Sequence, residues 1–406
     1  MTIPLGSLAG LRILDLSRVL AGPSCTQMLG DLGADIVKIE RPGSGDDTRK
    51  WGPPYLKDAQ GQDSSESAYY LSANRNKRSV AVDIAKPEGQ ALVKRLLEDC
   101  DILVENFKAG DLARYGLDWD SLKDAFPRLI YCSITGFGQD GPYASRPGYD
   151  YLAQGMGGIM SLTGEIDGQP MKTAVAISDL MAGMYAGVAI LAALRHRDAT
   201  GQGQRIDISL LDCQVAWLSY QAQNYLTGGK PPPRLGNGHP TIVPYQVFKV
   251  ADGHLILAVG NDAQFAKFCE MAGKAEWSED KRFAANKDRV INRESLIPLI
   301  EDIMAERTQA QWMAGLEAAG IPAGPVNRID QVFEDAQVKH RQMVCEMAHP
   351  LSPQPIMLVA SPIKMSATPP SYRHAPPVLG EQTDQMLQEL GLDEAEIAAL
   401  REKNVI

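Results

Sequence analysis

Leu11-Arg-Ile-Leu-Asp-Leu16, then Pro23 to Leu32, then Asp35-Ile-Val-Lys-Ile-Glu40 decide the fold. Two short apolar runs flank one helix-length segment, which is the signature of a β-α-β unit and a parallel sheet. The pattern continues with a strand at Ser79-Val-Ala-Val-Asp83, a helix from Pro87 to Leu97, and strands at Asp101–Glu105 and Leu129–Ile134. A further strand is expected at Gln204–Ser209, followed by a helix through Leu226.

Gly228-Gly-Lys-Pro-Pro-Pro-Arg234 breaks this rhythm and marks a linker. Beyond it, two apolar stretches (Ile242–Val250 and His254–Val259) flank Ala251-Asp-Gly253, a hairpin signal. Helical patterns follow at Asp262–Ala272, Arg293–Ala305 and Gln309–Ala319. The expected organisation is a large α/β domain beginning with residues 1–227, a smaller α+β domain over 228–325, and a return segment, 326–406, that completes the large domain. That segment carries a strand near Met357–Ala360 and a helical tail from Gln382 to Lys403.

The chain has 406 residues and a formal net charge of −10, which argues against nucleic acid as a partner. Its six cysteines lack any C-x-x-C pair, which predicts free thiols in a reducing, cytoplasmic setting. The opening Met1–Gly10 has no basic and apolar leader pattern. The apolar run Leu180–Leu194 reads as a buried helix and not a membrane span. Six dispersed histidines give no support to a metal site.

The first strand–helix turn is Leu16-Ser-Arg-Val-Leu-Ala-Gly-Pro-Ser-Cys25. With one glycine and a proline it lacks the backbone freedom that a dinucleotide pyrophosphate needs, and Glu40 is expected to pair with a neighbour such as Arg41. Basic residues gather in the loops around the strands: Arg41 to Arg49, Asn74-Arg-Asn-Lys-Arg78, and Lys108 to Arg114. Arginine grips phosphate and carboxylate through paired hydrogen bonds, and open α/β sheets bind ligands beyond the carboxyl ends of their strands. Leu235-Gly-Asn-Gly-His-Pro240, with Gly238 and His239, can present N–H groups to an oxyanion, close over a pocket, or serve as a plain turn. Gly155-Met-Gly-Gly158 reads as packing glycine.

Ala174 to Ala193 is rich in Gly and Ala, with Asp179 near its front edge and no charge from Leu180 to Leu194. Two readings stand for this acid. It, or Ser178, caps the helix, or it is a desolvated nucleophile for acyl chemistry.

Taken together, Arg18-Val-Leu-Ala-Gly-Pro23, Asp31–Asp46, Asn76-Lys-Arg-Ser79, Glu105-Asn-Phe107, Thr135-Gly-Phe-Gly138, Ile177-Ser-Asp179 and Thr200–Gln204 resemble the class III coenzyme A transferases, the family of formyl-CoA and carnitine CoA-transferases. The resemblance implies a Rossmann-like large domain built from both chain ends, a smaller α+β domain, and an interlocked homodimer with shared sites. It places the nucleophile on Asp179 and the CoA contacts on Val19, Ala21, Arg41, Val82, Asp83, Asn106, Phe107 and Arg114. It implies a CoA thioester as substrate, with no permanently bound cofactor. Its racemase branch carries His in a Gly-His-Asp motif where this chain has Gly148-Tyr-Asp150. Tyrosine, with an ordinary pKa of about 10, is a poor base near neutrality, which favours transfer. A protein that keeps the fold and binds CoA without chemistry is the remaining alternative.

Asp46–Pro54, Tyr131–Gly136, Gln223–Leu226 and Ile242–Phe248 are similar to the succinate–hydroxymethylglutarate (glutarate) CoA-transferase branch. Succinyl-CoA is then the expected donor and glutarate, hydroxymethylglutarate or itaconate the acceptor. Arg49, Arg75 and Arg146 are the candidates for gripping the far carboxylate.

Overall fold

The computed structural model describes residues 6–406; residues 1–5, part of the opening read above, lie outside it. Strand β1 (Arg12–Asp15), helix α1 (Ala21–Asp31) and strand β2 (Asp35–Glu40) form the expected unit, with β1 and β2 parallel from Arg12 opposite Asp35 to Asp15 opposite Lys38. Strands β3 (Lys77–Ala81), β4 (Ile102–Glu105), β5 (Ile130–Thr135) and β6 (Gln204–Ser209) complete a six-stranded, wholly parallel sheet. The spatial order is β3-β2-β1-β4-β5-β6, that of a doubly wound sheet whose ligand crevice opens where β1 meets β4.

Both faces are covered, so successive residues of each strand enter different cores. Ile13, Ile36 and Ile102 face a layer holding Cys25 and Leu29 of α1 together with Ala182, Ala186 and Ile190 of a later helix. Leu14, Val37 and Leu103 face the opposite layer, with Leu92, Val93 and Leu96 of helix α2 (Pro87–Leu97). Met386, Leu387, Ile397 and Val405 of the chain's end enter that second layer.

Helix α3 (Asp150–Met156) precedes the long α4 (Ile177–Thr200), which carries Asp179 in its first turn. By length and composition α4 meets the requirement for a membrane span, more than the uncharged run alone suggested. In this fold one face of it packs on α1 through close contacts at small residues. A Cβ on Gly183 would lie 2.6 Å from the Ala21 carbonyl oxygen, and one on Gly187 would lie 2.4 Å from Met28 Cε. The glycine–alanine bias is therefore what lets the two helices approach. The helix expected through Leu226 is broken into α5 (Leu210–Trp217) and α6 (Ser219–Gly228), with Ser219 in the left-handed region at φ 49°.

The residues group into two units. One takes the described residues up to Ile159 with Lys172–Thr227 and Lys339–Ile406; the other takes Met160–Met171 and Gly228–Val338. In the second unit β7 (Tyr245–Val250) and β8 (Gly253–Ala258) form a hairpin with a two-residue turn, and β9 (Ala323–Pro325) pairs with β8. Its core packs Phe248, Phe265, Phe268 and Trp312, with the Trp312 indole N–H donating to the Met304 carbonyl at 2.9 Å. In the return segment β10 (Val344–Met347) and β11 (Ile356–Val359) pair antiparallel. The tail is two helices, α7 (Thr383–Glu389) and α8 (Glu394–Glu402), separated at Gly391, whose φ of 85° ends the first.

Candidate active site

At the crevice between β1 and β4, Asn106 clasps the backbone of Arg18: its carbonyl accepts the Arg18 N–H at 2.8 Å and its amide donates to the Arg18 carbonyl at 2.6 Å. Two cavities open at this point on the carboxyl ends of the strands. The first, about 220 Å³, is lined by Val19, Ala21, Asn106, Phe107, Arg146 and Asp179, among others. The second, about 440 Å³, is lined by Arg41, Val82, Asp83, Phe107 and Arg114. Arg18, Asp47 and Phe107 border both, so the two are lobes of one groove.

Asp179 does not cap its helix. Ala176 is the N-terminal flanking residue and makes no side-chain cap bond. Asp150, from α3, does the capping: its carboxylate accepts the Ser178 N–H at 2.8 Å and the Asp179 N–H at 3.4 Å. Gln154 steadies Asp150 by donating to its second oxygen at 2.8 Å. Ser178 turns its hydroxyl to the Gln214 carbonyl instead, at 2.9 Å. Gly136, just past β5, and Gly148 approach so closely that a Cβ on either would lie within 2.5 Å of the other's Cα. That contact lays the Gly148-Tyr-Asp150 turn beside the sheet end. Gly157 is likewise a packing glycine, against the Gln214 side chain.

The Asp179 side chain is left nearly buried, at 9% exposure, at the edge of the cavity. Burial, and then the nearby Asp150 charge, push its carboxyl up to about 7. A carboxylate with a value near neutrality is a stronger nucleophile than an ordinary one while still substantially ionised. Tyr69, edge-on to Trp51 at 5.2 Å, has its phenol pushed up to about 12 by burial and then by the charges of Asp179 and Asp150.

The basic residues divide by burial. Arg49 is not available to a substrate: it binds Glu40, Glu66, the Tyr70 hydroxyl and the Pro377 carbonyl, all buried. Glu40 thus pairs with Arg49 and not with Arg41. Arg75 is buried against Asp31 and the Val359 carbonyl. Both are expected substrate residues that the fold uses to tie the return segment to the first strands and helix. Arg146 alone of the three lines the cavity with Asp179; it stacks over Tyr143 at 4.3 Å, with no carboxylate in ion-pair distance among the described residues. Arg41 and Arg114 face the second lobe, Arg114 only 4.0 Å from Asp111.

Gly238 and His239 belong to the second unit. The Gly238 N–H donates to the Leu235 carbonyl at 2.8 Å, and the His239 ring lies 5.2 Å from that of Tyr245. That is the geometry of a tight turn.

Residues 8–383 match the profile of CoA-transferase family III. The chain belongs to that family. Among family members, the succinate–glutarate CoA-transferase of Agrobacterium fabrum is 49% identical over 94% of this chain and 95% of its own length. The human succinyl-CoA:glutarate CoA-transferase is 43% identical over 98% of this chain and 90% of its own. A crystal structure of a CaiB/BaiF family protein from Brucella suis, 46% identical, superposes with a TM-score of 0.84 over 95% of this chain and all of that one. Membership makes the chain a CoA-transferase, with CoA thioesters as substrates.

Reading the residues alone missed three contributors. Asp150 was already in the quoted Gly148-Tyr-Asp150, but nothing local says that its carboxylate reaches the α4 terminus. Asp46 borders the second lobe only once β2 and β3 assemble, and Tyr69 feels the Asp179 charge only once α4 is in place.

Proposed function

We propose that this chain moves CoA from succinyl-CoA to glutarate or a similar short dicarboxylate, hydroxymethylglutarate and itaconate included, with Asp179 as the nucleophile. The observation that carries this reading is Asp179 itself: one nearly buried carboxylate, raised toward neutrality, in the same groove as Val19, Asn106, Phe107, Arg41 and Arg114. Family relatives named for succinate, succinyl-CoA and glutarate support the choice of substrates.

Asp179 attacks the thioester carbonyl, and the tetrahedral adduct expels CoA as the thiolate, leaving a mixed anhydride of Asp179 and succinate. The thiolate then attacks the aspartyl carbonyl, releasing succinate and forming an aspartyl-CoA thioester. The acceptor carboxylate attacks that thioester, again expelling the thiolate, which takes the acceptor's acyl carbon and frees Asp179. Each step exchanges one activated acyl group for another, so ATP is not needed. In this reading, N–H groups at the start of α1, which lines the same cavity, stabilise the tetrahedral oxyanions. Arg41 and Arg114 hold the phosphates of CoA, each contributing about 1.5–3 kcal/mol. Arg146 takes the distal carboxylate.

The active assembly in this proposal is an interlocked homodimer. Support comes from Met184, Val188 and Leu191, which form an exposed apolar stripe on α4, with Tyr220 and Leu226 on α6. The position that racemases fill with His is Tyr149, 66% exposed at the rim of the cavity, and nothing there favours proton transfer.

The test is mass spectrometry after mixing with succinyl-CoA. A hydroxylamine-sensitive adduct on Asp179, and its loss with all turnover in Asp179→Ala, is expected. No adduct would leave a CoA-binding protein without chemistry. A panel of short dicarboxylic acids then ranks the acceptors.

A further inference from the structure

The turn joining β1 to α1 is held to an unusual degree. The Ser17 N–H donates to Asp15 at 2.9 Å, and the Ser17 carbonyl accepts from the Lys38 ammonium at 2.8 Å. Both backbone groups of Arg18 are taken by Asn106. The Val19 N–H lies between the two oxygens of Asp46, at 3.2 and 3.3 Å. No backbone polar group from the Ser17 N–H to the Val19 N–H is left to solvent or to a neighbouring strand.

Lys38 and Asp46 are themselves an ion pair at 3.0 Å, with both side chains wholly inaccessible. Asp46 is fixed further by the Thr48 N–H at 3.0 Å and the Thr48 hydroxyl at 2.8 Å. Val19 sits in the left-handed region at φ 70°, which a β-branched side chain avoids. Directly after it α1 begins with no side-chain cap on Leu20, and Val19, Leu20 and Ala21 line the Asp179 cavity. A buried ion pair is a poor source of net stability. Holding a strained turn at the edge of a reaction cavity is a use for one.

We propose that Lys38 and Asp46 are positioning residues for acyl transfer: the pair holds Val19 in its left-handed conformation and keeps the uncapped start of α1 directed at the space beside Asp179. This rests on the acyl-transfer reading above.

The pair is tested by removing both charges together, Lys38→Met with Asp46→Leu, so that no lone buried charge remains. The variant is expected to lose at least tenfold in kcat for succinyl-CoA and glutarate. Adding Val19→Gly is expected to recover at least threefold of that loss, because glycine adopts φ 70° without steric cost. A purely structural role predicts the opposite, since the added glycine loosens the chain further. A kcat within twofold of wild type, or a deeper loss with Val19→Gly, overturns the proposal. Should the double variant not fold, amide exchange in the wild-type protein decides. A Val19 N–H protected at least 100-fold supports the clamp, and one exchanging at the solvent rate overturns it. Failure of the acyl-transfer reading is separately visible, as absent turnover and absent Asp179 labelling in the wild type.

Discussion

The Asp150 carboxylate accepts the Ser178 N–H at 2.8 Å, so one acid caps the helix that carries another. A helix N-terminus ordinarily favours a negative charge in its first turn. Here Asp150 takes that place, and among the described residues Asp179, one residue beyond Ser178, has no stabilising partner for its charge. Burial then dominates, and the carboxyl rises toward neutrality.

Asp150→Asn keeps an oxygen for the Ser178 N–H and removes the charge. The acidic limb of kcat/KM, which reports ionisation of the free enzyme's nucleophile, is expected at about 7 in the wild type and at lower pH in this variant. Asp150→Ala also loses the cap, at about 1 kcal/mol of stability. An unmoved limb in Asp150→Asn, measured from pH–rate profiles, would remove Asp150 from the site's electrostatics.

Asp179 bears on stability in a pH-dependent way. Its folded value of about 7 lies above the ordinary 3.8, so between those values the unfolded chain releases the proton more readily. The folded state therefore loses stability as pH rises through this window. Asp179→Asn is expected to be more stable than wild type at pH 8 by about 2–4 kcal/mol, with the difference gone near pH 4. Urea titrations at the two pH values check this.

Arg146→Met is expected to raise the KM for glutarate about tenfold or more, the loss of a charge-assisted carboxylate grip. Affinity for CoA itself should not change. Equal KM values for glutarate in variant and wild type would exclude Arg146 from acceptor binding.

Arg49→Met leaves Glu40 and Glu66 without their buried partner. A loss of about 3–5 kcal/mol is expected, read as a lower denaturation midpoint. Exchange of substrates by the fraction still folded should be near normal, because Arg49 lines neither lobe of the groove.

Gly183→Val drives a side chain into the Ala21 carbonyl and the Ser24 hydroxyl. Overpacking of this kind costs about 1–3 kcal/mol. Because α1 and α4 both border the cavity, a fall in kcat beyond the stability loss is expected. Normal kcat at a temperature where the variant is folded would show that the helix spacing does not set the Asp179 position.

Much of this was legible along the chain. The continuous apolar runs at Ile13-Leu14 and Ile36-Val37 announce strands of a parallel sheet, and the glycine- and alanine-rich run after Asp179 announces a buried helix. Such signals are local: they depend on spacing within one element. The same holds for Asp179, whose isolation ahead of an uncharged run is visible in the residue order.

What the order of residues could not supply was who meets whom. Arg49, Arg75 and Arg146 look alike as loop arginines, yet two are consumed by Glu40, Glu66 and Asp31 and only the third reaches the cavity. Glu40 finds Arg49, not the adjacent Arg41, and Asp150 reaches across to a helix 27 residues further on. An ion's partner is set by distances in space and by the need to neutralise buried charge, and those distances exist only once the sheet has assembled. Sequence alone therefore determined the parallel β-α-β frame and the acid ahead of the apolar helix, whereas tertiary packing decided the strand order, which charges hold the frame and which remain free to meet a substrate.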